Sequence, residues 1–180
     1  MKTNHQIRLY LTGIMNDMAC VDVEQIEKAI DILRTARIDK SNVWIIGNGG
    51  SAATTSHFAN DLLKMGGIRA FSVPDMTPTT LAYGNDNGWK YMFVDPISKL
   101  YEPNDVLFAI SCSGNSENIV ACLDYIGNRV ILLTGNDHES KAVKMEPQVI
   151  IFTESDEITK QETIHSAVCH VIAKVLSGEM

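Results

Sequence analysis

The chain has no long apolar run, no paired cysteines and no basic stretch, and each lack removes a class of function. A membrane-spanning helix needs about 20 consecutive apolar residues, and nothing in this sequence approaches that. The first residues, Met-Lys-Thr-Asn-His-Gln, carry a single Lys and no apolar segment of signal-peptide length, so the expectation is a cytoplasmic protein. The four cysteines, Cys20, Cys112, Cys122 and Cys169, form no Cys-x-x-Cys pair. That argues against a zinc ribbon or disulfide framework and for reduced thiols. Lys and Arg number 15 against 22 Asp and Glu, and no basic cluster exceeds a pair, so no nucleic-acid partner is expected. A net charge of −7 does not bar a phosphate ligand, which backbone N–H groups at a helix start can hold.

What is present fits one globular domain. At 180 residues and 45 % hydrophobic, the chain can bury a core without staples. Ile7, Leu11, Ile14 and Met18 recur at helical spacing, and after a break near 17–21 so do Val23, Ile26, Ile30 and Leu33. The period then changes. Short continuous apolar runs at 43–47, 105–110, 129–133 and 149–152, with a weaker one at 69–73, predict strands buried on both faces. Helical stretches are expected over roughly 52–64, 89–100, 116–126 and 158–176. This alternation predicts a parallel sheet sandwiched by helices, with ligands outside the strand carboxyl ends.

Two of those strands end in loops of one type, Gly47-Asn-Gly-Gly-Ser-Ala52 and Ser111-Cys-Ser-Gly-Asn-Ser116, each opening a helix. Such loops can be ordinary strand-to-helix turns, or glycine and hydroxyl cradles for an anion. Two of them in one small domain favour a phosphorylated ligand. Neither has the Gly-Lys-Ser/Thr of a nucleotide P-loop, and Ala52 stands where Gly-x-Gly-x-x-Gly needs its third glycine.

Downstream, His57 and Asp61 are four residues apart and share a helix face. Such a pair can ligate metal, move protons, or simply form a surface hydrogen bond. In the last helix, Glu162, His165 and His170 add three polar groups to an otherwise apolar element. At 100° per residue the two histidines lie about 140° apart, so they should not serve one small site. One of them is expected to be a core histidine. Asn85-Asp86-Asn-Gly88 reads as a polar turn between helical stretches.

Taken in order, Gly47-Asn-Gly-Gly-Ser-Ala-Ala-Thr-Thr-Ser-His-Phe-Ala59, Gly84-Asn-Asp86, Ser111-x-Ser-Gly-Asn-Ser116 and Glu162-x-x-His165-x4-His170 resemble the phosphoheptose isomerases of the sugar isomerase (SIS) family. The resemblance implies a flavodoxin-like, five-stranded parallel α/β domain over 1–180, with a core at 43–177 and N-terminal helices at 1–38 used in oligomerisation. It implies a homotetramer with sites at subunit interfaces and one Zn²⁺ per subunit. The implied reaction is isomerisation of sedoheptulose 7-phosphate to D-glycero-D-manno-heptose 7-phosphate, for surface-glycan heptose. By the motifs, Asn48, Gly49, Gly50, Ser51, Asn85 and Asp86 would contact the sugar, and Ser111, Cys112, Ser113 and Ser116 its phosphate. His57, Asp61, Glu162 and His170 would fall on metal positions, Asp61 and Glu162 also touching substrate. Asp61 would be the base between C1 and C2, with His170 its acid partner. The family usually has Glu at the position of Asp61 and Gln at that of Glu162, and the stretch 75–83 is one residue longer here. Two alternatives stay open: an isomerase of another sugar phosphate, or a non-catalytic SIS module binding a phosphosugar or a replication-initiator protein.

Overall fold

Side-chain alternation along the strands decides the layout. In the computed structural model, which describes residues 2–178, five strands form one parallel sheet. They are β1 (Asn42–Gly47), β2 (Arg69–Ser72), β3 (Val106–Ser111), β4 (Val130–Thr134) and β5 (Val149–Phe152). Val43, Ile45, Val106, Phe108, Ile131 and Leu133 point to one core, while Trp44, Ile46, Leu107, Ala109, Val130 and Leu132 point to the other. Successive residues of a strand face opposite sides, so an uninterrupted apolar run is what a sheet covered on both faces requires.

The first core is closed by α2 (Val23–Asp39), α3 (Gly50–Lys64) and α7 (Ile158–Ser177), through Ala29, Leu33, Phe58, Leu62, Ile164 and Ile172. The second is closed by α5 (Val94–Leu100) and α6 (Glu117–Ile126), through Ile97, Ile119 and Leu123. Asp22 caps α2 by accepting from the backbone N–H groups of Glu24 and Gln25, and Lys40, at φ 57°, ends it.

Strand order is β2-β1-β3-β4-β5. The chain steps from β1 outward to β2, then returns to lay β3 on the other side of β1. That reversal opens a crevice between the carboxyl ends of β1 and β3, where open α/β sheets bind ligands. Both anion-type loops start there, with Gly47 paired to Ile110 in register.

Two expectations change. The stretch 89–100 is not one helix but a 3₁₀ turn (Trp89–Tyr91) followed by α5. Gly88, at φ 99° and extended ψ, stops the chain from running straight in. Asn85 and Asp86 are not a turn; they end an unforeseen helix α4 (Thr77–Asp86), whose Thr-rich sequence hides it, although Pro78 suits its first turn. Helix α1 (Lys2–Ala19) forms as expected, yet none of its residues is buried: Ile7, Leu9, Leu11 and Met15 are all more than half exposed. Ile14 packs against the first core, and the Tyr10 hydroxyl meets that of Thr159 on α7 at 2.8 Å. Among the described residues no helix is long and apolar enough to cross a membrane. Met1, Glu179 and Met180, within the 1–180 expectation, lie outside the described residues.

Candidate active site

The loop after β1 is shaped by what a side chain would strike. Gly49 sits at φ 55°, a backbone region L residues rarely adopt. A Cβ on Gly50 would fall 2.5 Å from a Glu162 carboxylate oxygen, so glycine lets α7 bring that carboxylate onto the start of α3. The loop after β3 is braced from below. Thr134 donates its hydroxyl to the Ser111 carbonyl at 2.8 Å, and Gly114 N–H donates to the Ser111 hydroxyl. Asn115 ties the loop to the segment after β4: its amide nitrogen donates to the Ser113 carbonyl and to Asp137, and its oxygen accepts from Lys141 N–H.

Between the two loops lies a hollow of about 190 Å³. Of the expected residues, Asn48, Ser51, Ser111, Cys112, Ser113, Ser116 and Glu162 line it. Ile158 and Ile110 complete the wall. Asn85 and Asp86 are not among its lining residues; they are exposed at the end of α4, hydrogen-bonded to each other. Burial and the nearby Glu162 carboxylate push the Cys112 thiol up to about 11, so it is a neutral thiol at pH 7.

A second cluster lies further along the same two helices. His57 and Asp61 of α3 meet His170 of α7: His57 Nε2 stands 3.3 Å from Asp61 Oδ2 and 2.9 Å from His170 Nε2, which is 3.9 Å from the same oxygen. Asp61 is buried while both imidazoles are exposed. Two Nε2 atoms this close either share one proton or aim both lone pairs at a cation. The ligand atoms lie within 4.8 Å of one another, and an N,N,O set of this kind suits zinc. Glu162, expected as a fourth ligand, is not in this group. It is eight residues before His170, about 12 Å along the helix, and its carboxylate lies against Gly50.

The two histidines of α7 part as their angular separation requires. His165 is fully buried, with Nε2 3.2 Å from the Thr153 hydroxyl and Nδ1 3.9 Å from Cys112 Sγ. Burial holds its imidazole down to about 4, hence uncharged.

One residue beside the site escaped the sequence reading. Asn118, on the first turn of α6, is fully buried, and its carboxamide forms two reciprocal hydrogen bonds with that of Asn48, each 2.9 Å. The available signal was an Asn two residues after the Ser-Gly-Asn-Ser loop, on a face that is otherwise apolar.

The SIS domain model matches residues 9–135. A phosphoheptose isomerase from Buchnera aphidicola subsp. Schizaphis graminum is 33 % identical over 168 residues, covering 88 % of this chain and 84 % of that one. One from Alteromonas mediterranea is 30 % identical over 166 residues, covering 87 % and 84 %. The structure of a phosphoheptose isomerase from Francisella tularensis has the same fold, with a TM-score of 0.90 at 23 % identity, covering 99 % of this chain and 100 % of that one.

Proposed function

The chain belongs to the phosphoheptose isomerase branch of the SIS domain family, and from that premise we propose that it is an aldose–ketose isomerase converting sedoheptulose 7-phosphate to D-glycero-D-manno-heptose 7-phosphate. The observation that carries the reading is the pairing of a hydroxyl-lined hollow with a His57–Asp61–His170 cluster on the same two helices. Ser51 and Asp61 are ten residues apart on α3, about 15 Å; Glu162 and His170 are about 12 Å apart on α7. A phosphate resting on the 111–116 loop therefore leaves a long gap to the proton-transfer groups. A stretched seven-carbon chain spans it better than a pentose, which is two carbon–carbon bonds shorter.

In this reading the Asp61 carboxylate takes the proton from C1 of the ketose, and the electron pair moves to the C2 oxygen to give an enediolate. His170 protonates that oxygen and then takes up the proton that leaves O1, while Asp61 returns its proton to C2, so both groups end in their starting states. Zinc held through His57 and Asp61, with His170 carrying the proton, would supply positive charge beside the enediolate oxygens. Ser113, Ser116 and the N–H groups at the start of α6 would hold the phosphate. Asn48 and the Gly49–Gly50 backbone would face the sugar.

A homotetramer with interfacial sites belongs to the same reading. The uncovered apolar face of α1 supports it, and so do Asn85 and Asp86, which stand clear of the hollow and suit a site completed by a neighbouring subunit. A cytoplasmic setting belongs to the same reading and fits the four free thiols.

The test is turnover on a panel of sugar 7-, 6- and 5-phosphates. Sedoheptulose 7-phosphate should be the preferred substrate, chelation should lower the rate, and zinc should restore it. Preference for a shorter phosphosugar overturns the substrate, and no turnover on any overturns the enzyme.

A further inference from the structure

The loop after β1 is joined to the first turn of α6 by a contact between two side-chain amides. We propose that Asn118 is a positioning residue for the isomerase reaction, fixing through its reciprocal amide pair the edge that Asn48 presents to the sugar; this rests on the reading of the hollow as the sugar-phosphate site. The geometry is a closed ring. Asn48 Nδ2 donates to Asn118 Oδ1 and Asn118 Nδ2 donates to Asn48 Oδ1, both at 2.9 Å. Each carboxamide has two N–H donors and two acceptor lone pairs. The ring uses one of each on Asn48, leaving one donor and one acceptor in a fixed plane.

Burial makes this arrangement stiff. Asn118 has no exposure, and the α6 residues beside it, Ile119, Cys122 and Leu123, are core. It cannot swing to water without leaving a polar group unpaired in the interior, a loss that costs more than the bond itself contributes. Asn48 is only partly buried, on a loop whose neighbour Gly49 has positive φ, and has no other side-chain partner among the described hydrogen bonds. Its orientation is thus set from α6. That link also ties the β1 loop to the start of α6 across the crevice.

The phosphate loop does not depend on this link. It is braced independently by Thr134 beneath Ser111 and by Asn115 against Asp137 and Lys141. Loss of Asn118 should therefore disturb the sugar end and spare the phosphate end. A residue that merely held α6 in place would disturb both.

The experiment is a double-mutant cycle on the whole protein with Asn48→Ala, Asn118→Ala and the pair, reading kcat/KM for sedoheptulose 7-phosphate and the inhibition constant of inorganic phosphate. Each single change should lower kcat/KM about 10- to 100-fold, and the pair should be no worse than the poorer single variant. Phosphate inhibition should stay within about twofold of wild type. Penalties that multiply in the pair, or phosphate inhibition weakening in step with KM, would overturn the proposal. If Asn118→Ala does not fold, Asn118→Asp, of the same shape, takes its place in the cycle. If the wild-type protein does not turn over the heptose phosphate, the functional reading fails on its own. The brace is then judged by NMR exchange of the Asn48 side-chain amide protons, slow in wild type and fast in the Asn118 variant; equal exchange in both overturns it.

Discussion

Two buried carboxylates, Asp105 and Asp61, show how the same group can serve a fold or a reaction. Asp105, just before β3, is 1 % exposed and accepts four hydrogen bonds: from Asn42 N–H and its side-chain amide, from the Trp44 indole, and from Glu102 N–H. Its donors are fixed, none can give up a proton at ordinary pH, and together they close the amino end of β1 and β3. Asp61 is 8 % exposed, and its charged-group neighbours are two exposed imidazoles, which can bind a proton, release one, or coordinate a cation. A carboxylate ringed by permanent donors is a structural anchor, whereas one facing titratable groups at the protein surface is equipped for proton transfer. Substitution should separate them, one losing stability and the other turnover.

The largest expected effect is on Asp61. Asp61→Asn should reduce exchange of the substrate C–H proton with solvent deuterium to background while sugar-phosphate binding and the thermal midpoint stay near wild type. Exchange at the wild-type rate would place the base elsewhere, and Glu162, already in the hollow, would be tested next. His170→Ala should lower kcat by a factor on the order of 10²–10⁴ if it is the general acid. A rise in KM alone, with kcat intact, would reduce its part to binding. Asp105→Ala makes the opposite claim: about 2–4 kcal/mol lost in denaturant unfolding, because the Trp44 indole and Asn42 N–H are left unpaired, with kcat/KM of the folded fraction unchanged. A variant as stable as wild type would remove the distinction between the two carboxylates.

The same comparison explains what could be read from the sequence. The sheet was legible because both-face burial makes the middle of the central strands continuously apolar, as in Val43-Trp-Ile-Ile and Val106-Leu-Phe-Ala-Ile. The loops were legible because glycines and serines gather where strands become helices, and His57 and Asp61 because helical period puts them on one face. Helix α4 was not, since Thr77, Thr79 and Thr80 lower its propensity and Thr80 alone of its residues is buried, which leaves no apolar stripe to read. Nor was the Asn48–Asn118 pair, whose members stand 70 residues apart and meet only because β3 crosses back beside β1. Glu162 was placed by motif with the metal group, yet an α-helix carries it about 12 Å from His170. Spacing within one element is readable; spacing between elements needs the topology.

The smallest expected effect sharpens the comparison within α7 itself, where His165 and His170 stand five residues apart. His165 is buried and uncharged, its imidazole held down to about 4 by desolvation against an ordinary value of 6.5. The unfolded chain takes up a proton on this group as pH falls through 6.5, while the folded protein resists until about pH 4. Stability from this residue is therefore complete above 6.5 and drains away between 6.5 and 4. At pH 5 the loss should be about 2 kcal/mol. His165→Gln, which retains polar contact with Thr153 but carries no titratable ring, should show a flatter profile over that window. Denaturant unfolding of both proteins from pH 8 to pH 5 measures the difference, and subtraction removes the carboxylates common to the two. Parallel profiles would mean that the folded protein accepts the proton as readily as the unfolded chain, and His165 could then not be the uncharged core partner that its contacts with Thr153 and Cys112 describe.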